Sequence, residues 1–206
     1  MNAPDASVHN PLLQPWTAPH ALPPFAAVRA QHFSPAFEVA MREHRDELDA
    51  IANQLAAPSF SNTLAALDAS GRLFARIELL FHNLCASETS PELQTAQREL
   101  SQPLAAHSNA IYLNAALFAR IDTLFAQRAQ LGLAPEALRL LERIHDDFVR
   151  AGARLAGESR ERFAALNERL AALSTQFGQN VLADEDRKST RLNSSHERLS
   201  RMPSSA

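Results

Sequence analysis

The chain has 206 residues, 46% of them hydrophobic and 21% charged, so it is long enough to bury a sizeable core. Five glycines, a single cysteine and abundant alanine and leucine favour an all-helical protein without disulfides. The formal net charge of −3 argues against nucleic acid or an anionic membrane as a partner.

Residues 1–33 are predicted to form an extended, proline-rich N-terminal segment. Proline fixes φ and restricts the residue before it, which opposes helix formation. Six of the twelve prolines lie here, at positions 4, 11, 15, 19, 23 and 24. Large apolar residues should anchor the segment to the surface of a helical body: Trp16, Leu22, Phe25 and Phe33.

Residues 34–185 are predicted to form the helical domain. Ser34 and Pro35 are placed as the N-cap and first residue of the first helix, which should run to about Ala56 before Pro58 stops it. Its inner face is predicted by apolar residues that recur every three to four positions: Phe37, Met41, His44, Leu48, Ile51 and Leu55.

Two further helices are predicted after the first. The second spans about residues 62–86, with Gly71 marking a slight break. Ser90 and Pro91 start the third, in which Pro103 should introduce a kink. The inward residues of both are predicted by the same spacing: Leu64, Leu67, Phe74, Ile77, Phe81, Leu84, Leu93, Leu100 and Leu104.

An antiparallel αα-hairpin is predicted for residues 111–156. Asn114 is placed as the N-cap of its first helix, Gly132 as the C′ residue that ends it, and Pro135 in the first turn of the second helix. Two apolar stripes should face each other across the short connection: Leu117, Ile121, Leu124 and Phe125, then Leu138, Leu141, Ile144, Phe148 and Leu155.

A sixth helix is predicted from about Glu158 to Leu182. Its apolar residues alternate at spacings of three and four, as in a coiled coil, and are placed on the inward face: Phe163, Leu166, Leu170, Leu173 and Phe177. The predicted fold class is therefore all-α, an array of about six antiparallel helices. The acidic and arginine positions, such as Glu158 and Arg162, fit exposed faces.

Residues 186–206 differ from the rest of the chain. Residues 1–185 contain fifteen arginines and no lysine, whereas the only lysine, Lys188, lies in this tail. The stretch DRKSTRLNSSH is similar to a translated sequencing adapter. The tail is therefore interpreted as an artefact that interrupts the authentic reading frame, with a basic interaction arm as the alternative.

Two partial metal-binding motifs occur in the sequence. A zinc peptidase helix needs H-E-x-x-H. His196 and Glu197 begin that pattern, but Ser200 occupies the fifth position and the stretch lies in the suspect tail. Glu142 and His145 form an E-x-x-H pair, as in carboxylate-bridged di-iron bundles, but no second copy follows. A metal-binding bundle is therefore the weakest of three hypotheses.

The remaining chemistry-bearing residues are interpreted as structural. His44, His82 and His107 are placed at the edge of the core, each bonded to a neighbour, and His145 is expected to be solvated or partly buried. Cys85 is expected to be a small buried hydrophobe, not a nucleophile. No catalytic, cofactor-binding or metal-binding residue is assigned.

No membrane-spanning run of about 18 apolar residues and no secretory signal is visible. The lone cysteine fits a reducing compartment, so a cytoplasmic protein is expected.

Several blocks together resemble the amino-terminal region of the thimet oligopeptidase and oligopeptidase A family of zinc metallopeptidases, and within it the bacterial peptidyl-dipeptidase branch. In order along the chain these blocks are NPLLQPW, LPPFAAVRAQHFSPAF, NTLAALDASG, IYLNAALFARIDTLF, RLLERIHDDFVRAGARL and LNERLAALSTQFGQNVL. The resemblance covers nearly all of residues 10–183. None of the blocks is a catalytic signature.

The resemblance implies a two-lobed helical enzyme around a deep channel, in which zinc-activated water hydrolyses short peptides and releases dipeptides from the carboxyl end. The zinc ligands would lie in a missing carboxy-terminal region, so the leading hypothesis is an N-terminal, channel-wall fragment that is inactive alone. The expected partners are short peptides and the missing catalytic region, without nucleic acid or membrane. A free-standing helical interaction module is the alternative.

Overall fold

The fold is all-α, as predicted. The computed structural model describes residues 9–199, with side chains described for residues 9–185. Within residues 9–199 there is no β-strand, and six long helices and one short helix follow each other. Their bounds are Phe33–Ala52 for α1, Ala66–Ala69 for α2, Arg72–Ser87 for α3, Pro91–Tyr112 for α4, Ala115–Ala126 for α5, Pro135–Arg150 for α6 and Gly157–Leu199 for α7.

The residues before α1 lie against the helices, and we call residues 9–32 the strap. Asn10 is buried, accepts a hydrogen bond from the Leu12 amide (3.0 Å) and donates one to the His32 carbonyl (2.7 Å). The Arg76 guanidinium of α3 donates to the Leu12 carbonyl (2.8 Å) and lies 4.6 Å from the centre of the Trp16 ring. The predicted packing of this segment on a helical body is therefore confirmed.

The strap is not extended throughout, because short 3-10 turns occur at Pro19–Ala21 and directly before α1. Two of the four predicted anchors are correct: Phe33 is fully buried, and Trp16 packs against the same core. Leu22 and Phe25 are more than half exposed, so their predicted anchoring role is wrong.

The first helix, α1, is shifted and shortened relative to its prediction. It begins at Phe33, one residue before the predicted N-cap Ser34. It ends at Ala52, so Leu55 lies in the following turn with a fully exposed side chain, and its predicted inward position is wrong. Carbonyls of that turn accept hydrogen bonds from Arg120 of α5 and not from amides of a longer helix. Of the other residues predicted on this face, His44 is half-buried and four are buried: Phe37, Met41, Leu48 and Ile51.

The second predicted helix is broken at Gly71, more sharply than expected. A π-helical turn at Phe60–Ala65 leads through α2 to Gly71, whose φ of +66° is accessible to glycine at low cost. The Gly71 amide donates to the Glu47 carboxylate of α1 at 2.7 Å, which holds the break against that helix. The inward residues are still buried or half-buried: Leu64, Leu67, Phe74, Ile77, Phe81 and Leu84.

The start of α4 agrees with its predicted cap. The Ser90 hydroxyl accepts a hydrogen bond from the Leu93 amide at 3.2 Å, and Pro91 takes the first helical position. Pro103 lies inside α4, which is continuous to Tyr112, so the proline does not end the helix.

The helices α5 and α6 form the predicted antiparallel hairpin. Asn114 caps α5, its side chain accepting a hydrogen bond from the amide three residues on, and Pro135 begins α6. The first half of α5 shares a core cluster with Phe148 near the end of α6, and the end of α5 shares another with Leu141. α5 ends six residues before Gly132, so the predicted C′ role is wrong, and Gly132 (φ +59°) bends the connection instead.

The sixth predicted helix, α7, packs against α4 through polar side chains, which reverses its predicted orientation. Asn109 of α4 donates to the Ala164 carbonyl (3.2 Å) and accepts from Asn167 (3.0 Å). Further along, Gln179 donates to the Gln94 carbonyl at 2.8 Å. Most of the predicted inward stripe is therefore more than half exposed: Leu166, Leu170, Leu173 and Phe177.

The end of α7 also differs from its prediction. The helix continues to Leu199 instead of ending near Leu182. The interpretation of residues 186–206 as an artefactual tail stays a prediction, and the side chains of His196 and Glu197 lie outside those that the structure describes.

Three clusters of buried side chains hold the described helices together. The largest joins the strap, α1, α3 and α4, and contains the contacting rings of Phe33, Phe37 and Phe81. The second joins α1, α5 and α6, and the third joins α5 and α6 to the π-helical turn. α7 contributes no member to these buried clusters.

Candidate functional site

A chain of hydrogen bonds through two histidines lies where α1 and α4 meet the Gly71 break. His107 Nε2 lies 3.1 Å from His44 Nδ1, His44 Nε2 lies 3.3 Å from the Ser70 hydroxyl, and that hydroxyl lies 2.7 Å from the Leu67 carbonyl. The carbonyl can only accept, so Ser70 donates to it, His44 Nε2 donates to Ser70, and His107 Nε2 donates to His44. The network assigns both rings as neutral Nε2–H tautomers, and their predicted core-edge positions are confirmed.

Both histidines resist protonation. Burial, followed by the nearby charges of His44 and Arg45, lowers the pKa of His107 from 6.5 to about 4. Burial also lowers the pKa of His44, against an opposing effect of the Glu47 carboxylate. A second proton on His107 would have to bind Nδ1, which is buried without a hydrogen-bond partner among the described residues. The surroundings of both rings therefore favour the neutral form of the imidazole.

We expect the free energy of unfolding to decrease as the pH falls from 6.5 towards 4. Between these values the unfolded chain protonates His107 and the folded protein does not, so protons favour unfolding. The loss should reach about 2 kcal/mol near pH 5, since one pKa unit corresponds to about 1.4 kcal/mol. Urea unfolding followed by circular dichroism at neutral and mildly acidic pH measures it. His107→Gln should reduce the pH dependence, and equal pH dependence in both proteins would contradict the assignment.

Arg120 of α5 is a buried cation held by neutral oxygens. Arg120 is 7% exposed, and its guanidinium donates to the Gln54 and Ala56 carbonyls at 3.0 and 3.1 Å. It also donates to the side-chain oxygens of Gln54 (3.2 Å) and Asn62 (3.0 Å). Arg120 was not predicted as a core residue, although its position three residues after Leu117 places it on the buried stripe of α5. Arg120 is a clamp for the turn after α1.

Glu142 and His145, the predicted E-x-x-H pair, face different partners. Glu142 pairs with Arg139 at 3.5 Å on the exposed side of α6. His145 is buried, donates from Nε2 to the Asp122 carboxylate at 3.0 Å, and stacks on the Phe125 ring at a centroid distance of 3.7 Å. The predicted structural role of His145 is thus confirmed, but it is buried rather than solvated, and it joins α6 to α5.

Two further predicted residues lie on α3. Cys85 is half-buried, and burial raises the pKa of its thiol to about 11, so it stays protonated and weakly nucleophilic at neutral pH. His82 is exposed, so its predicted core-edge position is wrong.

A groove of about 1200 Å³ lies between the strap and the turn from α3 to α4. Phe33, Leu84 and Leu93 contribute to its apolar floor, and Glu88 and Glu99 lie among its polar lining. No histidine or cysteine lines it in the described part of the chain.

The described side chains, residues 9–185, contain no group of three or more His, Cys, Asp or Glu that could hold a metal ion. Neither α7 nor any other helix in the described ranges combines the length and apolar character needed to cross a membrane. The polar contacts join helices: His44 and His107 link α1 to α4, Arg120 links α5 to the turn after α1, and His145 links α6 to α5.

Comparison with known proteins identifies the family. No protein-family model matches the chain. Dipeptidyl carboxypeptidase of Salmonella typhimurium is 47% identical over 174 residues, which is 84% of this chain, and the Escherichia coli protein of the same name is 41% identical over the same length. The chain belongs to the dipeptidyl carboxypeptidase family.

Oligopeptidase A of Escherichia coli is more distant from this dipeptidyl carboxypeptidase homologue, at 27% identity over 201 residues. That order agrees with the resemblance to the peptidyl-dipeptidase branch, which is confirmed. The chain spans about a quarter of the length of these curated relatives: 26% of each dipeptidyl carboxypeptidase and 28% of oligopeptidase A. The chain is a helical part of a member of this peptidase family.

Proposed function

We propose that the chain is the amino-terminal helical part of a zinc-dependent peptidyl-dipeptidase, which hydrolyses short peptides and releases dipeptides from their carboxyl ends. The observation that carries the proposal is 47% identity with Salmonella dipeptidyl carboxypeptidase over 84% of the chain. The name of that relative describes removal of dipeptides from a carboxyl end, and common ancestry supports the same reaction in the parent protein. A cytoplasmic location is proposed as well, supported by the lone cysteine.

In this proposal the described helices form one wall of the substrate channel and bind no metal. Zinc does not fit the side chains of residues 9–185, because no three potential ligands converge there. Its ligands are therefore assigned to the part of the parent that this chain does not span. Three buried clusters and the clamp of Arg120 make the wall rigid, which suits a channel that admits only short peptides.

The isolated chain of 206 residues should have no peptidase activity. The purified chain is incubated with zinc and a short peptide blocked at its amino terminus, and the products are separated by chromatography. Escherichia coli dipeptidyl carboxypeptidase, assayed in parallel, is the positive control. Cleavage by this chain that a chelator abolishes would contradict the assignment of the zinc ligands to another part of the enzyme, because it would require a zinc site within these residues.

The parent enzyme is tested at the level of the native gene. Genomic DNA is sequenced past the codon for Glu185, and the complete protein is then expressed and assayed on the same peptide. An open frame that reaches an H-E-x-x-H motif, with zinc-dependent release of dipeptides, is the expected result. A native stop codon soon after this position, or a complete protein without peptidase activity, would contradict the proposed function.

A further inference from the structure

The outward face of α7 carries a continuous apolar surface, which we call the α7 stripe. Its five members recur at spacings of three and four, so they share one helical face. They are 57, 63, 52, 71 and 41% exposed, in the order Leu166, Leu170, Leu173, Phe177 and Val181. Single exposed leucines are common, but a contiguous apolar stripe marks an interaction surface.

The opposite face of α7 prevents the stripe from turning inward. Gln179 accepts a hydrogen bond from Arg98 of α4 at 2.6 Å and donates one to the Gln94 carbonyl at 2.8 Å. One end of the contact is held by Asn167, which donates to Asn109 at 3.0 Å. Rotating α7 to bury its leucines would break these bonds and leave polar groups unpaired. The stripe therefore cannot be covered by the helices that the structure describes.

We propose that the α7 stripe is the docking surface for the part of the peptidase that this chain does not span. The inference rests on the proposed function, since it takes the chain to be one part of a longer enzyme. The chain covers only 26% of each dipeptidyl carboxypeptidase, so about three quarters of such an enzyme is available to cover the stripe.

The ends of the stripe fit an interface of that kind. At 100° per residue, Arg162 and Asp184 lie on the same face as the leucines, one before and one after the apolar stretch, and both are exposed. An apolar centre bounded by charged residues is the usual anatomy of a protein interface. The stretch from Leu166 to Val181 is about 22 Å long at 1.5 Å per residue, which matches a helix or groove of a neighbouring domain.

A second copy of the chain is a poorer occupant. A stable interface buries about 1,200–2,000 Å² and uses roughly 20–30 residues on each side. The stripe offers five side chains over barely two heptads, whereas a coiled coil is sustained over about three to four heptads. A large covalently connected domain does not need this surface to provide all the binding energy, because its effective concentration is high.

Thiol labelling tests which surface is covered. Leu170→Cys is made in the 206-residue chain and in the complete protein from the native gene, and alkylation by a maleimide is quantified by mass spectrometry of the labelled peptides. Leu79→Cys is the matched control, because Leu79 is an exposed leucine of α3 (73%) outside the stripe. Cys85 adds little background, since its thiol pKa is about 11. Circular dichroism checks that each variant is folded.

The Leu170→Cys thiol should react at least roughly tenfold more slowly in the complete protein than in the 206-residue chain, because reactivity follows exposure. The Leu79→Cys thiol should react equally in both. Equal reaction of the Leu170→Cys thiol in the two proteins would overturn the inference. Slow labelling in the 206-residue chain would also overturn the inference if sedimentation showed a dimer that Leu170→Glu converts to a monomer. The stripe would then bind a second copy of the chain.

Peptidase assays on the same samples separate this inference from the proposed function. A complete protein that protects the Leu170→Cys thiol but cleaves no peptide supports the docking surface and contradicts the proposed function. A complete protein that cleaves peptides and leaves the Leu170→Cys thiol reactive supports the proposed function and contradicts the docking surface. A native frame that stops soon after Glu185 overturns both.

Discussion

Replacing Arg120 with alanine is expected to lower the free energy of unfolding by about 3 kcal/mol. Arg120 is 7% exposed, and its guanidinium donates four hydrogen bonds, to two carbonyls and two side-chain oxygens of the turns that follow α1. Its removal leaves these oxygens without their donor, and an unsatisfied polar group costs about 1–3 kcal/mol when it stays dry. Relaxation of the turn at Gln54 should recover part of that loss.

Urea unfolding followed by circular dichroism measures the effect, with Arg143→Ala as the matched control. Arg143 is 76% exposed and only 3.9 Å from Asp147, so its removal should change the free energy of unfolding by less than about 0.5 kcal/mol. Arg120→Lys should fall between the two, because a lysine keeps the charge but lacks the planar fork. If Arg120→Ala is no more destabilising than Arg143→Ala, the clamp does not contribute to stability.

The substitution Gly71→Ala is expected to lower the free energy of unfolding by about 3 kcal/mol through two effects. The backbone there has φ +66°, where a side chain adds about 1–2 kcal/mol of strain. The new Cβ would also lie 2.6 Å from Cε1 of His44 and 2.7 Å from each ring nitrogen. The ring must therefore move, which breaks its hydrogen bonds to His107 and Ser70.

Gly132→Ala separates these two effects. Its φ is +59°, but no atom lies within 4 Å of the new Cβ, so only the backbone strain of about 1 kcal/mol remains. In a His44→Ala background, Gly71→Ala should be about as mild as Gly132→Ala, because the ring that it displaces is gone. Equal losses for Gly71→Ala and Gly132→Ala in the wild-type background would show that the contact with His44 is not strained.

Helix starts were predictable because the groups that define them are local. Ser90 and Asn114 each satisfy an amide three residues on, and Pro135 occupies a position where no amide is needed. Helix ends were less predictable. α1 stops before Leu55 because distant Arg120 binds the carbonyls of the next turn, and nothing in the local sequence indicates that contact.

The sequence predicted that the histidines near the core are structural residues, but it did not predict which residues they contact. His44 and His107 are 63 positions apart in sequence, and their contact depends on how α1 packs against α4. The same holds for His145 and Asp122, whose bond joins α6 to α5. The family was recognisable from its ordered blocks.

The sequence by itself determined the helices, most of their starts and the family, because periodicity, capping residues and common ancestry are written along the chain. The apolar stripe of α7 was also visible there, from Leu166 to Phe177, but its direction was not. Only the tertiary structure decided that this stripe faces outward. The reason is physical: Asn109, Arg98 and the Gln94 carbonyl of α4 are hydrogen-bond partners for polar side chains of α7. Forming these bonds turns the leucines toward solvent.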